Sequence, residues 1–280
     1  MNDDLSFQQE VNERLAQAGP ELSYCKADEK QFYLEQYQYI EQYIYHHHLK
    51  NAAVALPIVC SLHDGVYRGY LHLADGTERP APFVSHCLSV CRMLIDYSIP
   101  LTHHEEDIML ASALCHNLLT KSRKDSSLLV SRALALLDPD VADIVSRFVW
   151  ESTDRRKDEN LYLSRIRENK LATLIRLADW SDVVSTMPDL SIWQVHEYAH
   201  ESRMLYFPLC VYAMEQYPEC SLALSILHEK ILTLVEAGEM LVNRYAKREE
   251  ELMSDILSLR EQNARYRQLI RSRQAGCEQE

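Results

Sequence analysis

Two histidines and an aspartate stand at the core edges of three separate apolar stretches, and together they are this chain's best candidates for chemistry. His86 lies in Pro82-Phe-Val-Ser-His86-Cys-Leu-Ser-Val90, on the helical face that carries Val90, Leu94 and Ile95. His116 closes a run through Ile108, Ala111 and Leu114 and is followed by an amide, Asn117. Asp179 follows the stripe of Leu171, Leu174, Ile175 and Ala178. A lone buried histidine is ordinarily a hydrogen-bonded core residue. A carboxylate at such an edge, however, needs a cation or several donors, because burying an unpaired charge is costly. Two histidines with an aspartate are more easily explained by a shared cation than by a neutral network.

The elements that must position these groups are helices. Of six glycines, Gly65, Gly69 and Gly76 are clustered and none lies between Gly76 and Gly238, so the long interval reads as helix after helix. Apolar spacing of the Leu-x-x-Leu kind recurs through 104–119, 126–137, 140–152, 170–185, 191–201, 204–216 and 220–245, with Pro100, Pro139, Pro188 and Pro218 at the boundaries. The expected fold is all-α. The exception is 63–82, where Gly, Pro and the Asp75-Gly76 pair imply a loop or small hairpin at one mouth of the helical body. Three segments are expected: an N-terminal helical segment, 1–49; a helical domain, 50–217; and a long C-terminal helix, 218–280. The tyrosines from Tyr33 to Tyr45 have spacings that favour core packing.

Composition excludes several function classes. The 280 residues suffice to bury a real core, and 47% hydrophobic content marks a globular chain. A formal charge of −13 argues against a sequence-independent grip on nucleic acid or on an anionic membrane, which needs clustered Lys and Arg. The opening Met1-Asn-Asp-Asp-Leu-Ser-Phe7 lacks the basic end and apolar run of a signal peptide, and the apolar stretch 52–60 is too short to span a bilayer. A cytoplasmic protein is expected. Eight cysteines with no Cys-x-x-Cys pair read as reduced and mostly buried. In the tail, Leu252, Ile256, Leu259, Asn263, Tyr266 and Ile270 step by 4, 3, 4, 3, 4, a heptad seam with one polar position. Such a seam suits a homodimeric coiled coil, or else one long helix packed on its own domain or fraying in solvent.

The order His86, then His116-Asn117, then Asp179, at separations of 30 and 63 residues, resembles the HD superfamily of metal-dependent phosphohydrolases. Within it the chain is most similar to the hydrolase domain of RelA/SpoT-type proteins, which removes the 3′-pyrophosphate from guanosine alarmones. The likeness covers about residues 50 to 215. His63-Asp-Gly65-Val-Tyr67-Arg68 resembles the family's His-x-Gly-x-x-Arg, and 82–90 resembles its Pro-Tyr-x-x-His-Pro-x-x-Val. Leu114-Cys-His116-Asn117 stands where the family has Leu-His-Asp. Arg176-Leu-Ala-Asp179-Trp-Ser-Asp182 is similar to its Lys-Leu-Ala-Asp segment, and Tyr162-Leu-Ser-Arg-Ile-Arg-Glu-Asn169 to the helix before it. The resemblance implies a divalent ion, typically Mn2+, held by His86, His116 and Asp179 with Asn117 in fourth place. Such an ion polarises a phosphate oxygen and supplies hydroxide near neutral pH. Arg68 then pairs with phosphate, and Asp182 joins it at the substrate. No likeness to the alarmone synthetase domain follows residue 215.

The departures matter as much. Asn117 replaces an anionic ligand by a neutral carbonyl, so metal affinity falls. Where the family has Glu-Asp, acids that orient or deprotonate the attacking water, this chain has Thr120-Lys121. A hydroxyl is no base near pH 7, and a lysine holds phosphate but repels a metal. Val183 stands where an Asn is common. Glu105, Glu106 and Asp107 open the helix that ends at His116, about 14 Å away, too far to substitute and better placed to favour a helix N-terminus. Asp125 reads as a solvated loop acid. Two functions follow: a metal-dependent phosphohydrolase weakened by lost acids and acting on a phosphorylated nucleotide, or a non-catalytic nucleotide module in which Lys121 grasps phosphate and the helical tail reports occupancy. A purely helical interaction protein is the third, and it predicts that chelators change nothing.

Overall fold

The computed structural model describes residues 2–19, 22, 30–72, 76–122, 126–149 and 155–277. It is all-α but for one hairpin. In chain order the elements are α1 (Asn2–Ala18), α2 (Leu34–His46), α3 (Lys50–Leu62), β1 (Tyr67–His72), β2 (Glu78–Pro82), α4 (Val84–Asp96), α5 (His103–Cys115) and the short α6 (Leu118–Lys121). There follow α7 (Ser127–Leu134), α8 (Pro139–Arg147), α9 (Arg155–Arg167), α10 (Lys170–Ser185), α11 (Ile192–Glu201), α12 (Phe207–Gln216) and α13 (Ser221–Cys277). No described helix is long and apolar enough to cross a membrane.

Local chemistry sets these boundaries. Thr102 and Glu105 form a reciprocal capping box on α5, and Ser191 and Gln194 do the same on α11. Asp138 accepts from the Asp140 N–H with Pro139 at the first helical position of α8, so that proline starts a helix. Asn169 caps α10 through the Ala172 N–H. One cap is borrowed: α3 has no side-chain cap of its own, and buried Asp107 of α5 accepts from the N–H groups of Asn51 (3.0 Å) and Ala52 (2.9 Å). Asp107 thus places its charge at the positive end of the neighbouring helix rather than its own.

The loop-or-hairpin stretch is an antiparallel hairpin pairing Tyr67 with Pro82 and Tyr70 with Pro80. The register slips between Tyr67 and Tyr70, where Gly69 has φ +65°, a bulge conformation that glycine tolerates. The hairpin is tied down by the Phe83 N–H donating to the Val66 carbonyl at 2.7 Å. Asp75 lies outside the described residues, as does Asp125.

Two apolar runs end differently from their spacing. The run through 104–119 breaks at His116 and Asn117, between α5 and α6. Conversely, 191–216 is joined, because α11 passes through a π-helical turn, Ser202–Tyr206, into α12. The three expected segments share one hydrophobic core that takes in Phe7 and Val11 of α1, the facing sides of α3, α4, α5 and α10, and α13 as far as Val242. Tyr33 and Tyr37 are buried in it, whereas Tyr39 and Tyr43 donate their hydroxyls to Asp96 and Glu106.

Candidate metal centre

His86, His116 and Asp179 come together from α4, the end of α5 and the middle of α10, three helices that pack on one another. All three are buried, and one ligand-type atom from each lies within 4.8 Å of the others. Nε2 of His86 is 3.1 Å from Oδ1 of Asp179 and 3.3 Å from Nε2 of His116, which is itself 3.7 Å from the same carboxylate oxygen.

The second atom of each group is held from outside. Nδ1 of His116 donates to the Ala113 carbonyl one turn back, at 2.6 Å. Nδ1 of His86 donates to Oδ2 of Asp182, at 2.6 Å. Oδ2 of Asp179 accepts from the Arg176 guanidinium, one helical turn earlier. Since a carbonyl and a carboxylate only accept, the ring protons sit on Nδ1, and each imidazole turns an Nε2 lone pair inward. Two lone pairs and a carboxylate oxygen therefore converge on one point. Three acceptors cannot satisfy one another, so the centre calls for positive charge, and two imidazoles with a carboxylate form a donor set suited to a divalent transition metal.

Electrostatics keeps Asp179 ionised. Burial would raise its pKa, but the Arg176 guanidinium holds it well below the usual carboxylate range. For His86, burial disfavours the charged ring, yet Asp179 and Asp182 outweigh burial and raise its pKa. Nearby His63 is the reverse: burial, with His116 and His86 adding repulsion, lowers its pKa to about 3 and leaves it neutral. Neither ring nitrogen of His63 has a hydrogen-bond partner among the described residues; its ring lies 4.9 Å from that of Phe83.

No protein-family model matches the chain, and no curated protein does.

Asn117, expected as a fourth ligand, lies beside the cluster in the break between α5 and α6. Its Nδ2 faces Nε2 of His116 at 2.5 Å, while its Oδ1 accepts from the Thr120 hydroxyl at 3.3 Å. As placed, it offers His116 an N–H; a half-turn of the amide brings the carbonyl oxygen to the same spot. Arg68 and Lys121 line a cleft of about 380 Å3 together with Arg176, Asn117, His86 and Asp179. Arg68, His86 and Tyr198 are also on the wall of a larger cleft of about 770 Å3, shared with Asp182 and Leu190. Asp182, expected at the substrate, does line that cleft, but its Oδ2 is taken by His86, with the Arg68 guanidinium 3.8 Å away. Its geometry is that of a carboxylate orienting a ligand imidazole.

Arg176 is the residue that sequence reasoning undervalued. It is buried among the rings of Tyr162, Trp180 and Tyr206, whose centroids lie 5.4, 5.8 and 5.0 Å from its guanidinium carbon, and it also donates to the Tyr206 hydroxyl. The π-helical turn serves this box, bringing Tyr206 to Arg176 and Ser202 to Nε1 of Trp180. The available signal was an Arg three residues before the Asp on one helical face.

Proposed function

We propose that this chain is an HD-type, metal-dependent phosphohydrolase-like protein that takes a pyrophosphorylated nucleotide such as guanosine tetraphosphate and turns it over weakly. The observation that carries the reading is the convergence of two imidazole lone pairs and one carboxylate oxygen on a single buried point, each aimed by an outer hydrogen bond. The ordered motifs that resemble the RelA/SpoT hydrolase domain supply the substrate class.

His86, His116 and Asp179 would hold the ion, with Asn117 able to add its carbonyl. A divalent ion such as Mn2+ supplies Lewis acidity toward a phosphate oxygen and a bound water of lowered pKa. The protein's own groups bind and orient: Arg68, Arg176 and Lys121 face the smaller cleft and neutralise phosphate charge, while the adjoining larger cleft accommodates the rest of the nucleotide. Proton removal is the weak step. Among the described residues lining the smaller cleft the only carboxylate is Asp179, engaged by Arg176; in the larger one Asp182 is engaged by His86, and Glu78 and Asp189 are also on the wall. Thr120 is no base near neutral pH.

That same arrangement favours a second reading, in which three cations around a small cleft with its one carboxylate already paired hold phosphate without cleaving it. Hydrolysis of guanosine tetraphosphate with Mn2+ separates the two, run beside Asn117→Asp with Thr120→Glu and Lys121→Asp. Turnover by the unmodified protein, lost in His116→Ala and on chelation, supports the enzyme. Turnover by the restored variant alone supports the binder. If neither variant acts or binds, the nucleotide assignment falls.

A further inference from the structure

The last helix leaves the body. Up to Val242 one stripe of α13 (Leu224, Ile231, Val235, Val242) is buried against the domain, whereas every residue from 243 to 267 is exposed. At 1.5 Å per residue that is about 37 Å of helix in water. Helices without packing partners have little stability of their own, so this length calls for a covering surface.

The buried stripe does not stop where the body does. Counting in sevens from Leu224 and Ile231, the same seam continues through Tyr245, Leu252, Ile256, Leu259, Asn263 and Tyr266, and its apolar members are 43 to 65% exposed. From Leu252 onward Ile256 and Asn263 fall on the a positions and Leu252, Leu259 and Tyr266 on d; nearer the body the a position is Glu249 and the d position Tyr245. Branched Ile at a with Leu at d favours two parallel strands, and a single Asn at a fixes register by pairing with its own copy. In an antiparallel pair, a faces d, and Asn263 would lie unsatisfied against an apolar side chain. Charge agrees with the parallel arrangement: Asp255 at g meets Arg260 at e of the second copy. At the base of this segment a cleft of about 690 Å3 opens between Tyr245 and Leu252 on one side and Leu190 and Ile192 on the other. Ile192 and Trp193 beside it are 46% and 67% exposed.

We propose that residues 245–266 of two copies of this chain form a parallel, in-register, two-stranded coiled coil whose base is seated on the Ile192 corner of each body. The inference is independent of the metal centre.

Sedimentation of the full chain tests it. The expected mass is twice 32.6 kDa, halved by Ile256→Lys with Leu259→Lys. Leu257, 53% exposed but off the seam, is the control: Leu257→Lys should leave the dimer intact. A monomeric unmodified chain, or a dimer broken equally by both changes, overturns the proposal. Orientation is read by mild oxidation of Leu259→Cys in a Cys25→Ser, Cys277→Ser background. A disulfide-linked dimer is expected, and a dimer that does not cross-link at this position overturns the parallel register.

Discussion

Asp179 divides one carboxylate between two tasks: Oδ2 is held by Arg176, and Oδ1 faces the imidazoles. Arg176 therefore both orients the carboxylate and keeps its charge affordable in a buried place. Removing one partner of a buried pair typically costs about 3–5 kcal/mol. Arg176→Ala should lower the melting temperature by on the order of 10 °C in metal-free buffer, and Mn2+ should recover part of that loss by replacing the missing positive charge. Scanning calorimetry with and without Mn2+ reads both; a metal that shifts neither protein counts against the centre. At this scale the members of the cluster were legible, since His86, His116 and Asp179 each break an apolar pattern. The outer partners were less so: Asp182 lies 96 residues from His86, and nothing in a linear pattern says which nitrogen it will hold.

Helix ends carry the next level of organisation. Capping boxes and Pro139 were readable because their partners lie within three residues, but the Asp107 cap on α3 was not, because it reaches across 56 residues. The break at His116 was also hidden: the apolar pattern runs on through Leu118, while the Nδ1 hydrogen bond of His116 to Ala113 and the turn at Asn117 end α5. Glu105 shows what such an end contributes. A hydrogen bond from Lys170 at 2.6 Å, then those from Thr102, lower its pKa to about 2 from 4.5. A lowered folded pKa means stability that is present above about pH 4.5 and lost as pH falls toward 2. Because the pair faces solvent, its contribution is about 1 kcal/mol rather than what the shift alone suggests. Glu105→Gln should thus melt a few degrees lower at pH 6, and thermal melts across pH should show the difference closing by pH 2.

At the scale of the whole molecule, the all-α body and the hairpin were legible from glycine distribution and periodicity, whereas the continuity of one core from α1 to α13 was not, since segment boundaries in sequence say little about who packs on whom. The 3-10 turn Met187–Asp189 with Leu190 forms a wall between the larger cleft and the base of the stalk; Asp189 and Leu190 line both. Its other end is pinned to α13, where a Cβ on Gly238 would come within 2.9 Å of the Met187 sulfur. Gly238→Ala should gain roughly 1 kcal/mol of helix propensity while pushing this wall; if the chain binds guanosine tetraphosphate as proposed, a change of about 5-fold in that affinity by calorimetry, with His86, His116 and Asp179 untouched, is the expected sign. Two chambers with one partition obey reciprocity. If filling the first tightens association at the second, then association tightens filling by the same factor, and protein concentration itself becomes an effector of the site.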